Sequence, residues 1–174
     1  MKVKSITFTG LFTALIFIFT FTFKIPAGNT LGYAHLGDMF IIISAWMLGG
    51  KYAPFAAGLG AMLADFASGF AVWMLPTFIV KFVMAATIGI IAEKLFDGNY
   101  KGYLIGTLIG AILHIAGYSL AWYVLAGSTG AASAFVPLCL QTFIGVVLGN
   151  IIVFRLEKTA TGQKLQIMAR GELV

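Results

Sequence analysis

Five side chains that could bind a polar ligand lie within or at the ends of apolar stretches of this 174-residue sequence. They are Asp38, Asp65, Lys81, His114 and Gln141. A charge in membrane hydrocarbon costs about 2.5 kcal/mol or more, so such a residue normally has a partner, a cavity or a function. Counted along helices at about 1.5 Å per residue, all five fall near the midplane or in the same half of the membrane. This one-sided distribution predicts a pocket that opens to one compartment.

Two stripes of residues spaced four apart extend this group. The stripes comprise His114, Tyr118 and Trp122 on one stretch and Trp73, Thr77 and Lys81 on another. Residues four apart share one face of a helix. Aromatic rings with a few polar groups hold small, flat, polar ligands by stacking and by hydrogen bonds to their edges. Trp73 and Trp122 also suit an interfacial aromatic belt, which remains an alternative for these two residues.

The charged residues admit simpler interpretations. Lys81 and Asp65 could neutralise each other between two helices, with or without lining a cavity. Asp38 follows a glycine near a helix start, where the helix dipole stabilises a carboxylate, so capping or anchoring is its favoured role. His114 has no second histidine nearby in sequence, and Cys139 is the only cysteine, so we expect no metal site, no cofactor and no internal disulfide.

The composition indicates that this chain is surrounded by lipid. Hydrophobic residues make up 60% and charged residues 10%, whereas a soluble domain carries about 25% charged residues. The sequence therefore predicts an all-α integral membrane protein, a bundle of six transmembrane helices that forms one domain over 1–174. The predicted spans are 5–23, 35–49, 52–69, 73–95, 102–126 and 135–156. Residues 24–34 and 127–134 (GSTGAASA) are expected to be outer loops.

The basic residues set the orientation. With six spans, nine of the eleven fall on one side: Lys2, Lys4, Lys51, Lys94, Lys101, Arg155, Lys158, Lys164 and Arg170. Lys24 falls on the other side and Lys81 within a span. The positive-inside rule places the nine, and both termini, in the cytoplasm. The net charge of +5 is thus explained by topology, and no nucleic-acid partner is expected.

Small residues four apart on the first span, Gly10 and Ala14, form a small-xxx-small pattern that lets helices approach closely in lipid. They predict either packing within the chain or a docking face for another membrane subunit. The sequence contains no G-x-x-x-x-G-K-[ST] phosphate loop, so this chain is not expected to hydrolyse ATP itself.

Three stretches carry a resemblance to a known family. They are ITFTGLFTALIFIF, then LGYAHLGDMFIIISAWMLGGKYAPFAAGLGAMLADFASGF, then PTFIVKFVMAATIGIIAEK. Together with the six-span pattern and basic tail, they resemble the substrate-binding S components of energy-coupling factor (ECF) vitamin transporters. The stretches are similar to those of the branch of S components often called riboflavin-type. This branch also includes hydroxymethylpyrimidine- and pyridoxine-type members.

The resemblance implies a transport subunit and no enzyme. Such a subunit would bind a vitamin from outside, dock on a membrane coupling (T) subunit carried by two ATPases, and topple to release its cargo inside. Gly10 and Ala14 match the docking pattern of the family, and the polar groups of spans four to six match the ligand position. Because Lys81 is opposed by carboxylates, hydroxymethylpyrimidine or a vitamin B6 form such as pyridoxine is the favoured substrate, ahead of riboflavin or pantothenate.

Three other functions stay open on sequence alone. Asp65, Lys81 and His114 could form the proton relay of a self-sufficient secondary carrier. His114 and Asp65 could act as acid and base in a membrane enzyme. The chain could also be a purely structural membrane subunit.

Overall fold

The computed structural model describes residues 2–26 and 33–171 of the chain, and the fold there is almost entirely helical. The helices are α1 (Lys2–Thr22), α2 (Gly37–Ala67), α3 (Met74–Leu95), α4 (Tyr100–Glu157) and α5 (Ala160–Arg170). A 3-10 turn, Ala71–Trp73, precedes α3. Two short strands, β1 (Lys24–Pro26) and β2 (Tyr33–His35), pair antiparallel between α1 and α2. The all-α class is confirmed.

Four helical stretches within the described residues are long and apolar enough to cross a membrane. They are Val3–Thr22, Gly37–Ala67, Ala71–Leu95 and Tyr100–Glu157. The predicted second and third spans both fall in α2, and the fifth and sixth both fall in α4. The count of six crossings therefore stays a prediction.

Single glycines interrupt α2 and α4. Gly49 and Gly127 have φ of 73° and 71° with extended ψ, a backbone conformation that a side chain with a Cβ rarely adopts. In α4 the chain reverses at this point, because His114 Nδ1 lies 2.9 Å from Thr142 Oγ1, 28 residues later. In a continuous helix these residues would be about 42 Å apart.

The chain also reverses within α2. A Cβ on Gly37 would overlap Thr20, and a Cβ on Gly60 would overlap Ile16. Thr20 and Ile16 are one turn apart on α1, whereas Gly37 and Gly60 would be separated by about 35 Å in a straight helix. The two halves of α2 (37–48 and 50–67) therefore run in opposite directions beside α1.

The outer connections differ from expectation in one case. The loop predicted at 127–134 is helical beyond Gly127, because three alanines favour helix and one glycine suffices for the turn. Residues 27–32 of the loop predicted at 24–34 lie outside the described residues.

The core lies chiefly between α1, α2, α3 and the start of α4, where Ile16, Ile41, Trp46, Ile88 and Tyr103 are almost fully buried.

Candidate substrate-binding site

Three ionisable side chains from three helices meet inside the bundle. Asp38 of α2, Lys81 of α3 and His114 of α4 have no exposed surface. Lys81 Nζ forms an ion pair with Asp38 Oδ1 and lies 2.8 Å from His114 Nε2. We call Asp38, Lys81 and His114 the charged cluster. A buried charge is tolerated when it is paired and hydrogen-bonded, which is the arrangement seen here.

The partner of Lys81 corrects the sequence-based interpretation, which considered Asp65. The turn at Gly49 places Asp38 against α3 and α4, whereas Asp65 lies near the far end of α2, where its backbone carbonyl accepts from Phe70 N at 2.9 Å. Asp38 was expected to cap or anchor α2, and it lies in the first turn of that helix. Its carboxylate binds neighbours across the bundle, Lys81 Nζ and Gln141 Nε2.

The hydrogen bonds of His114 fix its tautomer. A lysine ammonium can only donate, so His114 Nε2 accepts from Lys81 and the ring proton sits on Nδ1. Nδ1 donates to Thr142 Oγ1 at 2.9 Å, and Thr142 Oγ1 donates to the Leu138 carbonyl at 2.7 Å. Thr142, 3% exposed, was missed by sequence reasoning. Residues 114 and 142 lie at nearly equal distances along the chain before and after the turn near residue 127. A turn there could have indicated that Thr142 faces His114.

Gln141 joins the cluster from the second half of α4. Its Nε2 donates to Asp38 Oδ2 at 2.9 Å and lies 3.3 Å from His35 Nε2. His35 Nδ1 accepts from the Gly37 amide at 3.2 Å. A Cβ on Gly145 would lie 2.6 Å from the Asp38 Cβ, so this glycine allows the two helices to approach. His35, assigned from sequence only to the outer loop, is thus also part of the site.

The two stripes predicted from the sequence face each other residue by residue. Lys81 contacts His114, Tyr118 Oη donates to Thr77 Oγ1 at 3.0 Å, and the Trp73 and Trp122 rings lie 4.5 Å apart. We call these three pairs the rungs between α3 and α4. They run from the buried charged cluster to the half-buried rings of Trp73, in the 3-10 turn that precedes α3, and Trp122, shortly before the Gly127 turn of α4.

Aromatic contacts connect the rungs along their length. The Tyr118 ring stands edge to face with His114 at 4.9 Å, and Lys81 Nζ lies 5.2 Å from the Tyr118 centroid. The Trp73 and Tyr118 rings are 6.4 Å apart. Such a surface offers ring faces for stacking beside donors and acceptors for polar edges.

Removing the hydroxyl of Thr142 should measurably loosen the site. In Thr142→Val the His114 Nδ1–H loses its acceptor in a buried position, which costs about 1–3 kcal/mol. We expect a lower thermal midpoint in detergent, measured by intrinsic fluorescence. Thr142→Ser keeps the hydroxyl and is the matched control. Equal midpoints for the valine and serine variants would contradict the assigned hydrogen bond.

Comparison with known proteins identifies the class. The family model described as "ECF-type riboflavin transporter, S component" matches residues 1–159. The chain therefore belongs to the S-component family of ECF-type transporters. S components are membrane subunits that bind small vitamins and work with a T subunit and ATPase subunits, and they are not enzymes.

Individual relatives differ in the substrate that their names state. The chain is 32% identical over 162 residues to the biotin transporter BioY of Thermotoga maritima, covering 86% of this chain and 93% of that protein. It is 25% identical over 162 residues to the thiamine precursor transporter HmpT of Lactococcus lactis, covering 91% and 90%.

An uncharacterised protein of Pyrococcus woesei is 33% identical over 141 residues, covering 80% of this chain and 92% of that protein. The crystal structure of an S component for biotin from an ECF-type ABC transporter has the same fold. Its TM-score is 0.70 at 24% identity, with coverage of 91% and 93%.

Proposed function

We propose that this chain captures a small water-soluble vitamin or vitamin precursor from outside the cell and delivers it through an ATP-driven coupling module. The observation that carries the proposal is the set of rungs between α3 and α4. The aromatic rings can stack on a flat ligand, while Thr77, Lys81 and Gln141 supply polar contacts.

The favoured ligand is hydroxymethylpyrimidine or a vitamin B6 form such as pyridoxine. Lys81 is already neutralised by Asp38, so the cluster suits mixed polar edges better than a large polyanion. A relative named for a thiamine precursor supports a small heterocycle. Riboflavin is supported by the family description, biotin by another relative, and pantothenate remains a further candidate.

The proposed topology has six crossings, with the turns at Gly49 and Gly127 separating the crossings within α2 and α4. The chain is then a protein of the cell membrane, and both of its termini lie in the cytoplasm. Contacts of Arg170 with Trp46 and Tyr103 support one common side for α5, the Gly49 turn and the start of α4. That end carries most basic residues, as the positive-inside rule requires.

The proposed docking face for the coupling subunit is on α1. Gly10 and Ala14 are exposed, and nothing lies within 4 Å of a Cβ built on Gly10. By contrast, Gly106 packs against Ile88 and Gly149 against Ile42 within the chain. A groove of about 470 Å³ runs beside Gly10, lined by Ile6, Thr9, Thr13, Lys51, Tyr52, Phe55 and Leu59. The small residues of α1 thus leave space for another helix.

Binding by the purified chain tests the proposal. We expect hydroxymethylpyrimidine or pyridoxine to bind without ATP or partners, and native mass spectrometry of protein from its own membranes to retain the ligand. Lys81→Ala and Tyr118→Ala should weaken binding at least about tenfold, since each removes a buried or stacking contact. Tyr123→Ala, at a position 61% exposed on the same helix, is the matched control.

Three results would argue against the proposal. Unchanged affinity in both variants would mean that the site is elsewhere. Uptake that persists without ATPase partners and collapses with the proton gradient would favour a secondary carrier. Retention of riboflavin or biotin would keep the transport role and replace the substrate.

A further inference from the structure

The groove beside Gly10 lies between two helices that run in the same direction. One wall is made by residues of α1 between positions 6 and 13, and the other by residues of α2 between positions 51 and 59. A Cβ on Gly60 would lie 2.7 Å from the carbonyl oxygen of Thr13, about 14 Å along α2 from Lys51. We call this space the α1 groove. It extends along both helices from Lys51 at one end to Leu59 at the other.

Most of the surface of the α1 groove is apolar, although two threonines line it. Thr9 Oγ1 donates to the Ser5 carbonyl at 2.7 Å, and Thr13 Oγ1 donates to the Thr9 carbonyl at 2.8 Å. Hydroxyls that are bonded to the backbone of their own helix need no other partner. On the opposite wall, the side chains of Phe55 and Leu59 are exposed. The groove therefore offers hydrocarbon surface along most of its length.

Lys51 places a positive charge at one end of the α1 groove. Its side chain is exposed, and its Nζ lies 5.4 Å from the centroid of the Tyr52 ring. Within the part of the chain that the structure describes, no acidic residue lines the groove. Glu93, whose Oε2 accepts from the Gly50 amide, forms its ion pair with Arg170 at 3.2 Å. The charge of Lys51 is therefore available to an anion from outside the chain.

The positions of these groups match the depth of the membrane. Lys51 follows the Gly49 turn, which separates two crossings in the proposed topology and therefore lies at the membrane surface. Tyr52 has the amphipathic ring that is typical of headgroup depth. Phe55 and Leu59 lie one and two turns further along the same helix. A cation at headgroup depth with an apolar groove below it matches the order of groups in a phospholipid.

We propose that the α1 groove binds one anionic phospholipid, with its phosphate at Lys51 and an acyl chain between α1 and the second half of α2. The apolar walls do not select this lipid, because lipid tails are as apolar as the side chains that face them. Selection comes from the charge. One lysine near the membrane surface favours an anionic over a neutral headgroup about fivefold.

The bound lipid occupies the place in which the proposed function docks a helix of the coupling subunit. The two occupants therefore exclude each other, and this consequence rests on the proposed function. The lipid site itself rests on the groove, on its single charge and on the proposed six-crossing topology.

Native mass spectrometry of the full-length chain tests the headgroup. The chain is released from nanodiscs that contain equal parts of phosphatidylglycerol and phosphatidylcholine. We expect about fivefold more retained phosphatidylglycerol than phosphatidylcholine, and no preference in Lys51→Gln. Lys101→Gln is the matched control, because Lys101 is an exposed lysine on α4 that does not line the groove. It should keep the preference.

Two outcomes of this measurement overturn the proposal. One is the same preference, or the same lack of it, in the wild type and in Lys51→Gln. The other is an equal loss of preference in Lys101→Gln, which would mean that the whole basic surface attracts anionic lipid without a site at Lys51.

Filling the groove tests the place of the acyl chain. Gly10→Leu adds a branched side chain where nothing lies within 4 Å of a Cβ. Retained phosphatidylglycerol should fall about fivefold or more, because the groove is then overfilled. Ala116→Leu, at an exposed position of α4, is the control and should change nothing. Undiminished retention in Gly10→Leu would overturn the proposal. Neither measurement uses a vitamin or a coupling subunit, so its failure would leave the proposed function standing.

Discussion

Replacing Asp38 by leucine should destabilise the protein more than the loss of the Thr142 hydroxyl does. The substitution leaves the Lys81 ammonium unpaired at a position with no solvent exposure. Removing one partner of a buried ion pair costs about 3–5 kcal/mol. For a chain of this size, that corresponds to a fall of roughly 10 °C in the thermal midpoint. Thermal unfolding in detergent, followed by intrinsic fluorescence, measures it.

A second substitution separates stability from binding. The double variant Asp38→Leu with Lys81→Met removes both charges, and replacing a buried pair by apolar residues is often neutral or stabilising. We expect its midpoint to return most of the way to that of the wild type, while ligand binding is weakened, because the Lys81 contact is absent. Lys94→Met is the control, because Lys94 is exposed and lies on α3 as Lys81 does. It should change stability by no more than about 0.5 kcal/mol. A wild-type midpoint for Asp38→Leu alone would contradict the ion pair.

The sequence predicted the two stripes because spacing of four residues is a local property of a helix. Their alignment was not predictable in the same way. That Lys81 meets His114, and Thr77 meets Tyr118, depends on the register between α3 and α4, which the short connection and the packing of Gly106 against Ile88 set together.

The contacts that were missed are those that depend on a distant turn. Asp38 reaches Lys81 because α2 reverses at Gly49, and Thr142 reaches His114 because α4 reverses at Gly127. The pattern of apolar residues locates a span but not the helices it touches. The assignment of 127–134 as a loop was wrong for a related reason. The composition of this segment indicates that the helix is interrupted, but it does not show that a single residue is enough to interrupt it.

Enlarging the small residues of α1 should block uptake while leaving binding intact. In Gly10→Leu with Ala14→Leu, two branched side chains occupy an exposed face of α1, the first at the groove and the second one turn further along the helix. Overfilling a close contact costs about 1–3 kcal/mol per site, so association with the coupling subunit should weaken about tenfold or more. Ligand affinity should stay within about twofold, because Gly10 and Ala14 lie on α1, whereas the charged cluster and the rungs are built from α2, α3 and α4.

The comparison that decides this prediction is between single alanines. Ala14→Leu and Ala116→Leu make the same change at exposed helical positions, one on the proposed docking face and one on α4. Uptake in vesicles with the full transporter should fall for Ala14→Leu and not for Ala116→Leu, since only Ala14 lies on α1, one turn from Gly10, which lines the groove. Loss of ligand binding in the Gly10 and Ala14 double variant would show that these residues pack the fold. Equal effects of the two alanine substitutions would mean that any large side chain that faces the lipid lowers transport, and that a docking contact is not the cause.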